Sequence, residues 1–579
     1  MAMNTTHRHN GPGRGLLIAG LVLASLAARP CSADDPAYHR RWFYSAFNLQ
    51  VEANADRLID LIERAGKAGY NGMVLADYKF NVLDRVIPAY GRNAARVRES
   101  ADRAGVEIIP AVFPIGYSSG LLAHDPNLAE GLPVKDALFL VNGREAALVP
   151  DPDTVFRNGS LEETNGNHFT RFSFQDDPGK ATVADLEVAH QGQVSCRMRD
   201  TAKVSTSANA RLIQKVKVRP HACYQFSAWV KTKDFQPNGE FRLLALGASE
   251  GGRPLTFYEG KLKPTQDWTR ISVVFNSLDQ NEVNLYVGLW GGADGTLWID
   301  DLGFEELSMV NVLRRPGCPL TVKSADGATT YVEGRDYLPV ADPKLGQVPY
   351  AGEFSFDHPP APLRVATGSR IKDGETLKVS WYHPVLVHGN QVACCLTEPK
   401  VYDLLRDQAR RVNDLLHPKT FFMSHDELRV ANWCRACQAT GRTPGQLLAD
   451  NVRECTAILN QFNPRAEVVV WSDMFDPNHN AVKSYYLVNG TLAGSWEGLV
   501  PQVIVANWNS GKAEASLRFF ADRGHRQVLA GFYDAGIDNF RQWDQAARGV
   551  KGVDGFMYTT WQANYSDLDA FGKAMRRAK

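Results

Sequence analysis

Thr420-Phe421-Phe422-Met423-Ser424-His425-Asp426-Glu427-Leu428 reads as a strand that ends abruptly on ionisable groups. Its first half is apolar and uncharged, as a strand covered on both faces should be. Its second half brings an imidazole and two adjacent carboxyls. A parallel strand fixes such groups while its open end admits a ligand. The same letters also suit a strand entering a helix, with Asp426 as the N-cap and Glu427 in the first turn. The remainder of the chain has to decide between the two.

Downstream, helix and strand alternate. A helix with Leu448, Val452, Cys455, Leu459 and Phe462 on one face precedes a strand at 467–473. Further strands follow at 503–508, 527–534 and 555–562. Upstream, a helix carrying Val401, Leu404, Leu405, Val412 and Leu416 leads into the quoted stretch. Near the N-terminus the same rhythm gives strands at 41–47, 72–78 and 106–113, with helices between them. Three strands before and five after make eight βα units, an α/β chain of (β/α)8 TIM-barrel class.

Between strands three and four the rhythm stops. From Asp151 short alternating strands separated by turns predict a β-sandwich over 151–307, and a second small β domain over 308–385. The barrel halves are then 34–150 and 386–579. Both insertions fall in the loop after strand three, on the C-terminal face, so they should sit near the mouth of the barrel.

The 579 residues carry 64 Lys+Arg and 64 Asp+Glu, which leaves no net field to attract nucleic acid or an anionic membrane. Arg8 and Arg14 followed by the apolar run 15–28 read as a signal peptide over 1–33, cleaved near Ala33. That predicts a secreted or periplasmic protein with no membrane span. Cleavage removes Cys31 and leaves eight cysteines. Cys434-Arg435-Ala436-Cys437 is half of a zinc pattern with no second CxxC to complete it, so a local disulfide is the expectation.

Read as a barrel, the strand ends collect polar and aromatic groups at one rim. Asn48 ends strand one, Asp77, Tyr78 and Lys79 strand two, and Tyr117 follows strand three. Trp471 and Asp473 end strand five, Trp508 strand six, Tyr533 and Asp534 strand seven, and Trp561 strand eight. Three tryptophans around a carboxyl pair suit a sugar ring, whose C–H faces pack on aromatic planes while carboxylates take its hydroxyls. His425, Trp471, Asp473, Trp508, Asp534, Trp561, Asn48 and Asp77 are thus candidate substrate-binding residues. Asp426 and Glu427 are the candidate catalytic pair, with burial beside the rings expected to keep Glu427 protonated.

This arrangement resembles glycoside hydrolase family 20, the β-N-acetylhexosaminidases. The likeness is carried by the Asp-Glu pair ending strand four, the tryptophans after strands five, six and eight, and the tyrosine after strand seven. It implies Glu427 as general acid/base, Asp426 orienting the substrate's 2-acetamido group, and Tyr533 bonding its carbonyl, in a substrate-assisted retaining mechanism without a cofactor. Ser424 and His425 stand where the family has glycines, the first-strand arginine is missing, and Gln562 replaces an acid. The sandwich resembles carbohydrate-binding modules of families 4 and 9, through 158–163 (NGSLEE), 285–292 (LYVGLWGG) and 297–302 (LWIDDL). That resemblance implies a structural calcium with Glu162 and Asp301 among its ligands. Trp229, Tyr258 and Trp290 of the module are either core aromatics or sugar platforms.

The expected function is a secreted glycosidase on N-acetylhexosamine-containing oligo- or polysaccharides. One alternative is a two-carboxylate enzyme on another polysaccharide, with Asp473 or Asp534 as the partner of Glu427. Its carboxyls would stand about 5–5.5 Å apart for direct retention or about 6.5–9.5 Å for inversion. The other alternative is a non-catalytic carbohydrate-binding protein. An enzyme should hold Asp426 and Glu427 inside a tryptophan-lined pocket, whereas a silent binder should tie Glu427 into a salt bridge or turn it away.

Overall fold

The computed structural model describes residues 38–577 apart from 238, 249–251, 259–260 and 532–533. The expected signal peptide and Tyr533 lie outside the described residues. Among the described residues no helix is long and apolar enough to cross a membrane.

Eight parallel strands close a barrel: β1 (Arg40–Ala46), β2 (Gly72–Ala76), β3 (Glu107–Val112), β4 (Thr420–Met423), β5 (Glu467–Trp471), β6 (Ile504–Asn507), β7 (Gln527–Leu529) and β8 (Val553–Tyr558). Closure comes from β1 pairing with both β2 and β8. Residues of inward parity fill the interior: Trp42, Val74, Ile109, Phe422, Val469, Ile504, Val528 and Met557 pack together. The outward set meets the helices α1 (Glu52–Ala68), α2 (Pro88–Ala104), α3 (Pro399–Leu416), α4 (Pro444–Phe462), α5 (Ala513–Asp522), α6 (Ile537–Ala547) and α7 (Leu568–Arg577). In α1 the buried positions Ala55, Leu58, Leu61, Ile62 and Ala65 recur at helical spacing. The helix stops at Gly69, whose φ of 95° suits a residue without a Cβ. At the N-terminal end of the barrel Arg40 of β1 bridges Glu467 of β5 and Asp554 of β8.

The insertions are nested rather than consecutive. Leu132–Asn142 and Glu145–Leu148 lie within the span read as barrel, yet they join a six-stranded antiparallel sheet with 321–324, 330–331, 363–364 and 376–383. The cause is side-chain alternation. Val134, Ala137, Phe139 and Val141 are buried against Leu377, Val379 and Trp381, while Leu138 and Leu140 face out. The small β domain thus takes strands from both sides of the sandwich. The sandwich packs two five-stranded antiparallel sheets, drawn from 174–306.

The sandwich also touches the barrel mouth. The Arg253 guanidinium donates to the carbonyls of Tyr486 (2.7 Å) and Val488 (3.0 Å) in the loop after β5. Phe257 packs near Tyr486 and His388, at 6.1 and 5.9 Å between ring centres. His383, at the exit of the small domain, is wholly buried between the two β units. Its Nε2 lies 3.0 Å from the Asn276 amide, and desolvation pushes it down to about 4, so it is neutral.

Candidate active site

The four residues of β4 are fully buried. Beyond Met423 the backbone leaves the sheet: the Ser424 amide still donates to the Val112 carbonyl, 2.8 Å away, but no helix begins before Arg435. Asp426 is therefore not a helix cap. Glu427 instead adopts a left-handed φ of 48°. The loop after β3 presses against this turn. A Cβ on Gly116 would lie 2.4 Å from the Asp426 carbonyl oxygen, so only glycine fits there.

Asp426 and Glu427 open into a cavity of about 440 Å³ at the barrel mouth, lined also by Tyr44, Tyr117, His388, Trp471, Trp508 and Trp561. Tyr44, Trp471 and Trp561 form one aromatic wall, with ring centres 5.0 to 6.2 Å apart. Phe422 of the interior supports Trp471 from below, at 4.8 Å. Trp561 is 51% exposed and makes the outer lip, whereas Trp471, 4% exposed, forms the floor.

The carboxyls are held by distinct partners. Oε2 of Glu427 accepts from the Tyr117 hydroxyl and pairs with the Arg429 guanidinium at 2.8 Å. Arg429 also donates to Tyr117 (3.2 Å) and to Gln391, and the Gln391 amide closes the ring on the Glu427 carbonyl at 2.7 Å. Asp473 lies wholly buried beneath. Its Oδ2 accepts the Glu427 amide (2.9 Å) and Asn480 (3.0 Å), and its Oδ1 accepts the Trp508 indole N–H (3.2 Å). Desolvation, then the charges of Asp473 and Glu427, push Asp426 up to about 8. Asp473 is raised to about 7, chiefly by burial.

Several expected ligand contacts fall elsewhere. His425 has no exposed surface and sits near Phe475, pushed down to about 3 by burial. Asp77 is buried and caps the turn at 78–82, accepting the amides of Leu49 and Lys79 and the Tyr90 hydroxyl at 2.9 Å each. The Asn48 side chain accepts the Gln50 amide at 2.9 Å. Asp534 accepts the Trp561 amide at 3.0 Å, so it sets the lip and does not line the cavity. Asp473 supports the pair from behind. All five end strands and so share one rim, but a strand end carries structural turns as often as ligand contacts.

Tyr44, His388, Arg429 and Gln391 were not anticipated. Tyr44 shares inward parity with Trp42 on β1, and that alternation is its sequence signal. Arg429 stands two residues past Glu427. His388 and Gln391 arrive from the distant return of the insertions and leave no local signal.

A hexosaminidase is among the solved structures similar to this chain. That N-acetyl-β-hexosaminidase from Streptomyces plicatus, solved with Thio-NAglucal, is 10% identical over 94% of this chain and 64% of its own, with a TM-score of 0.35. A family 4 carbohydrate-binding module is similar over 26% of this chain and 100% of its own, at 15% identity and a TM-score of 0.21. A family 61 module, solved with β-1,4-galactotriose, covers 27% of this chain and 99% of its own, at 16% identity and 0.21. No protein-family model matches the sequence, and no curated protein does.

In the sandwich, Glu162 accepts the amides of Gln193 and Val194 at 2.9 and 3.0 Å, and Asp301 pairs with His190 at 2.6 Å. Neither joins a group of three or more His, Cys, Asp or Glu donors among the described residues. The Trp229 ring is stacked on His190 at 4.0 Å, and Arg211 lies over Trp290.

Proposed function

We propose that the protein is a glycoside hydrolase acting on N-acetylhexosamine-containing glycans by a substrate-assisted, retaining mechanism. One observation supports this most. The carboxyls lining the aromatic cavity are Asp426 and Glu427, adjacent on one strand end, while Asp473 and Asp534 are engaged outside it. A two-carboxylate enzyme needs a second carboxyl acting at the anomeric carbon from a separate position. Here the substrate's own acetamide oxygen supplies the attack.

Glu427 protonates the leaving oxygen and later activates water, with Tyr117 and Arg429 fixing its Oε2. Asp426 bonds the acetamide N–H and accepts its positive charge as the oxygen closes on the anomeric carbon. A carboxyl held near 8 is a strong enough base for that task once ionised. The aromatic wall of Tyr44, Trp471 and Trp561 packs on the sugar face. Side chains and substrate suffice for this chemistry.

The Glu427–Arg429 ion pair favours a second reading, a carbohydrate-binding protein without turnover. Hydrolysis of aryl β-N-acetylglucosaminide and β-N-acetylgalactosaminide separates the two. The enzyme should turn over at least one of them and be inhibited by a thiazoline mimic of the intermediate. Glu427→Gln should lose roughly 10²–10⁴-fold in kcat. Glycan binding with no turnover of these or of acetamido-free aryl glycosides would leave the binder.

A further inference from the structure

Four buried cysteines meet behind the active-site loops. Cys395 Sγ lies 3.5 Å from Cys434 Sγ and 3.6 Å from Cys437 Sγ, and Cys434 also faces the Cys318 thiol. Each is at most 1% exposed. They come from three remote segments: the turn at 315–318, the return from the insertions, and the CxxC at the start of the short helix Arg435–Ala439. We propose that Cys318, Cys395, Cys434 and Cys437 bind one structural zinc ion.

The geometry argues against simple thiol packing. A tetrahedral zinc with Zn–S near 2.3 Å holds its sulfurs about 3.8 Å apart, close to the 3.5 and 3.6 Å from Cys395 to Cys434 and Cys437. A disulfide joins two sulfurs only and would leave the third member of the Cys395–Cys434–Cys437 triangle unused. The Cys437 amide points at Cys434 Sγ from 3.4 Å, so the CxxC turn already presents a hydrogen bond to a thiolate. Four thiolates on a divalent ion carry a net charge of minus two, which burial penalises unless it is offset. Arg315 supplies a cation that the cluster shares with Glu398, 3.3 Å from it: the guanidinium is 5% exposed and anchored on the carbonyls of Asn127 and Ala129.

Glu130 is the competing fourth donor. Its carboxylate and the Cys395, Cys434 and Cys437 sulfurs all lie within 4.8 Å of one another, a group that Cys318, a neighbour of Cys434, does not join, and its Oε2 accepts the Cys437 thiol at 3.6 Å. However, its Oε1 already accepts the amides of Trp433 (2.7 Å) and Cys434 (2.9 Å), which makes it a strut for the CxxC loop. Structural zinc is closed by sulfur or nitrogen far more often than by oxygen, so Cys318 is assigned the fourth place.

The test is metal analysis of the full mature chain as purified. One zinc per chain is expected, with thiols that react in denaturant only after a chelator has been added. Cobalt exchanged into the site should show thiolate charge-transfer absorption of four-sulfur intensity. Cys318→Ser and Cys395→Ser should lose the metal, and Glu130→Gln should keep it. If the serine variants fail to fold, a fall in Tm of the wild type on chelation, reversed by zinc, carries the same information. A metal-free chain with a disulfide among these four cysteines overturns the site. Zinc kept by Cys318→Ser and lost by Glu130→Gln overturns the four-sulfur assignment. Neither result depends on glycosidase activity.

Discussion

Asp426 sets two expectations, one for stability and one for catalysis. Its carboxyl holds a proton up to about pH 8 in the folded chain but only to about 4 when unfolded. Between those values the folded state binds more protons, so stability is highest at the acid end and falls as pH rises. Asp473, raised to about 7, acts in the same sense. Asp426→Asn removes that cost. It should raise Tm at pH 8 by on the order of a few degrees and flatten the decline from pH 4 to 8, while abolishing turnover. Thermal melts across that range, made with and without the substitution, check it. In the proposed mechanism Asp426 is ionised while Glu427 carries the proton, so the active form is the singly protonated pair, and kcat/KM of the wild type should fall as the pair's last proton leaves near pH 8. A profile that goes on rising above pH 8 would exclude Glu427 as the proton donor.

At the scale of elements, the edge strand at 254–257 of the sandwich steadies the loop after β5. Arg253 makes two charge-assisted bonds to that loop's carbonyls, and the Arg429 guanidinium sits 5.1 Å above the Tyr486 ring of the same loop. Losing such bonds costs about 1–3 kcal/mol. Arg253→Ala should therefore raise KM several-fold by loosening this loop at the barrel mouth, with kcat changed little. Steady-state kinetics of this variant read the split directly. A large fall in kcat with KM unchanged would show that the loop positions the chemistry itself. The nested small domain is the other lesson at this scale. Strand 132–142 looked like part of the barrel because it follows β3 closely. Its alternation is antiparallel in character, and its partner at 376–383 lies beyond the whole sandwich.

At the scale of the molecule, barrel and sandwich share one continuous body of buried side chains. His383, Cys223 and Asn276 meet in a buried polar contact between the two β units. Units joined in this way should unfold together. Calorimetry of the protein should show a single endotherm, and two resolved transitions would mean that the sandwich melts on its own.

The sequence by itself determined the barrel and its aromatic mouth. Apolar runs ending in Trp471, Trp508 and Trp561 are local patterns, and strand parity carries a side chain inward or outward without reference to the rest of the chain. It likewise placed Asp426 and Glu427 at a strand end. What only the tertiary structure decided were the contacts between distant segments: Arg429, Tyr117 and Gln391 around Glu427, Asp473 beneath the pair, and Cys318 and Cys395 beside Cys434 and Cys437. A CxxC looks incomplete when its partner thiols lie in segments with no motif of their own. Local pattern fixes which face a residue takes, whereas the partner it meets there depends on how the insertions fold back on the barrel.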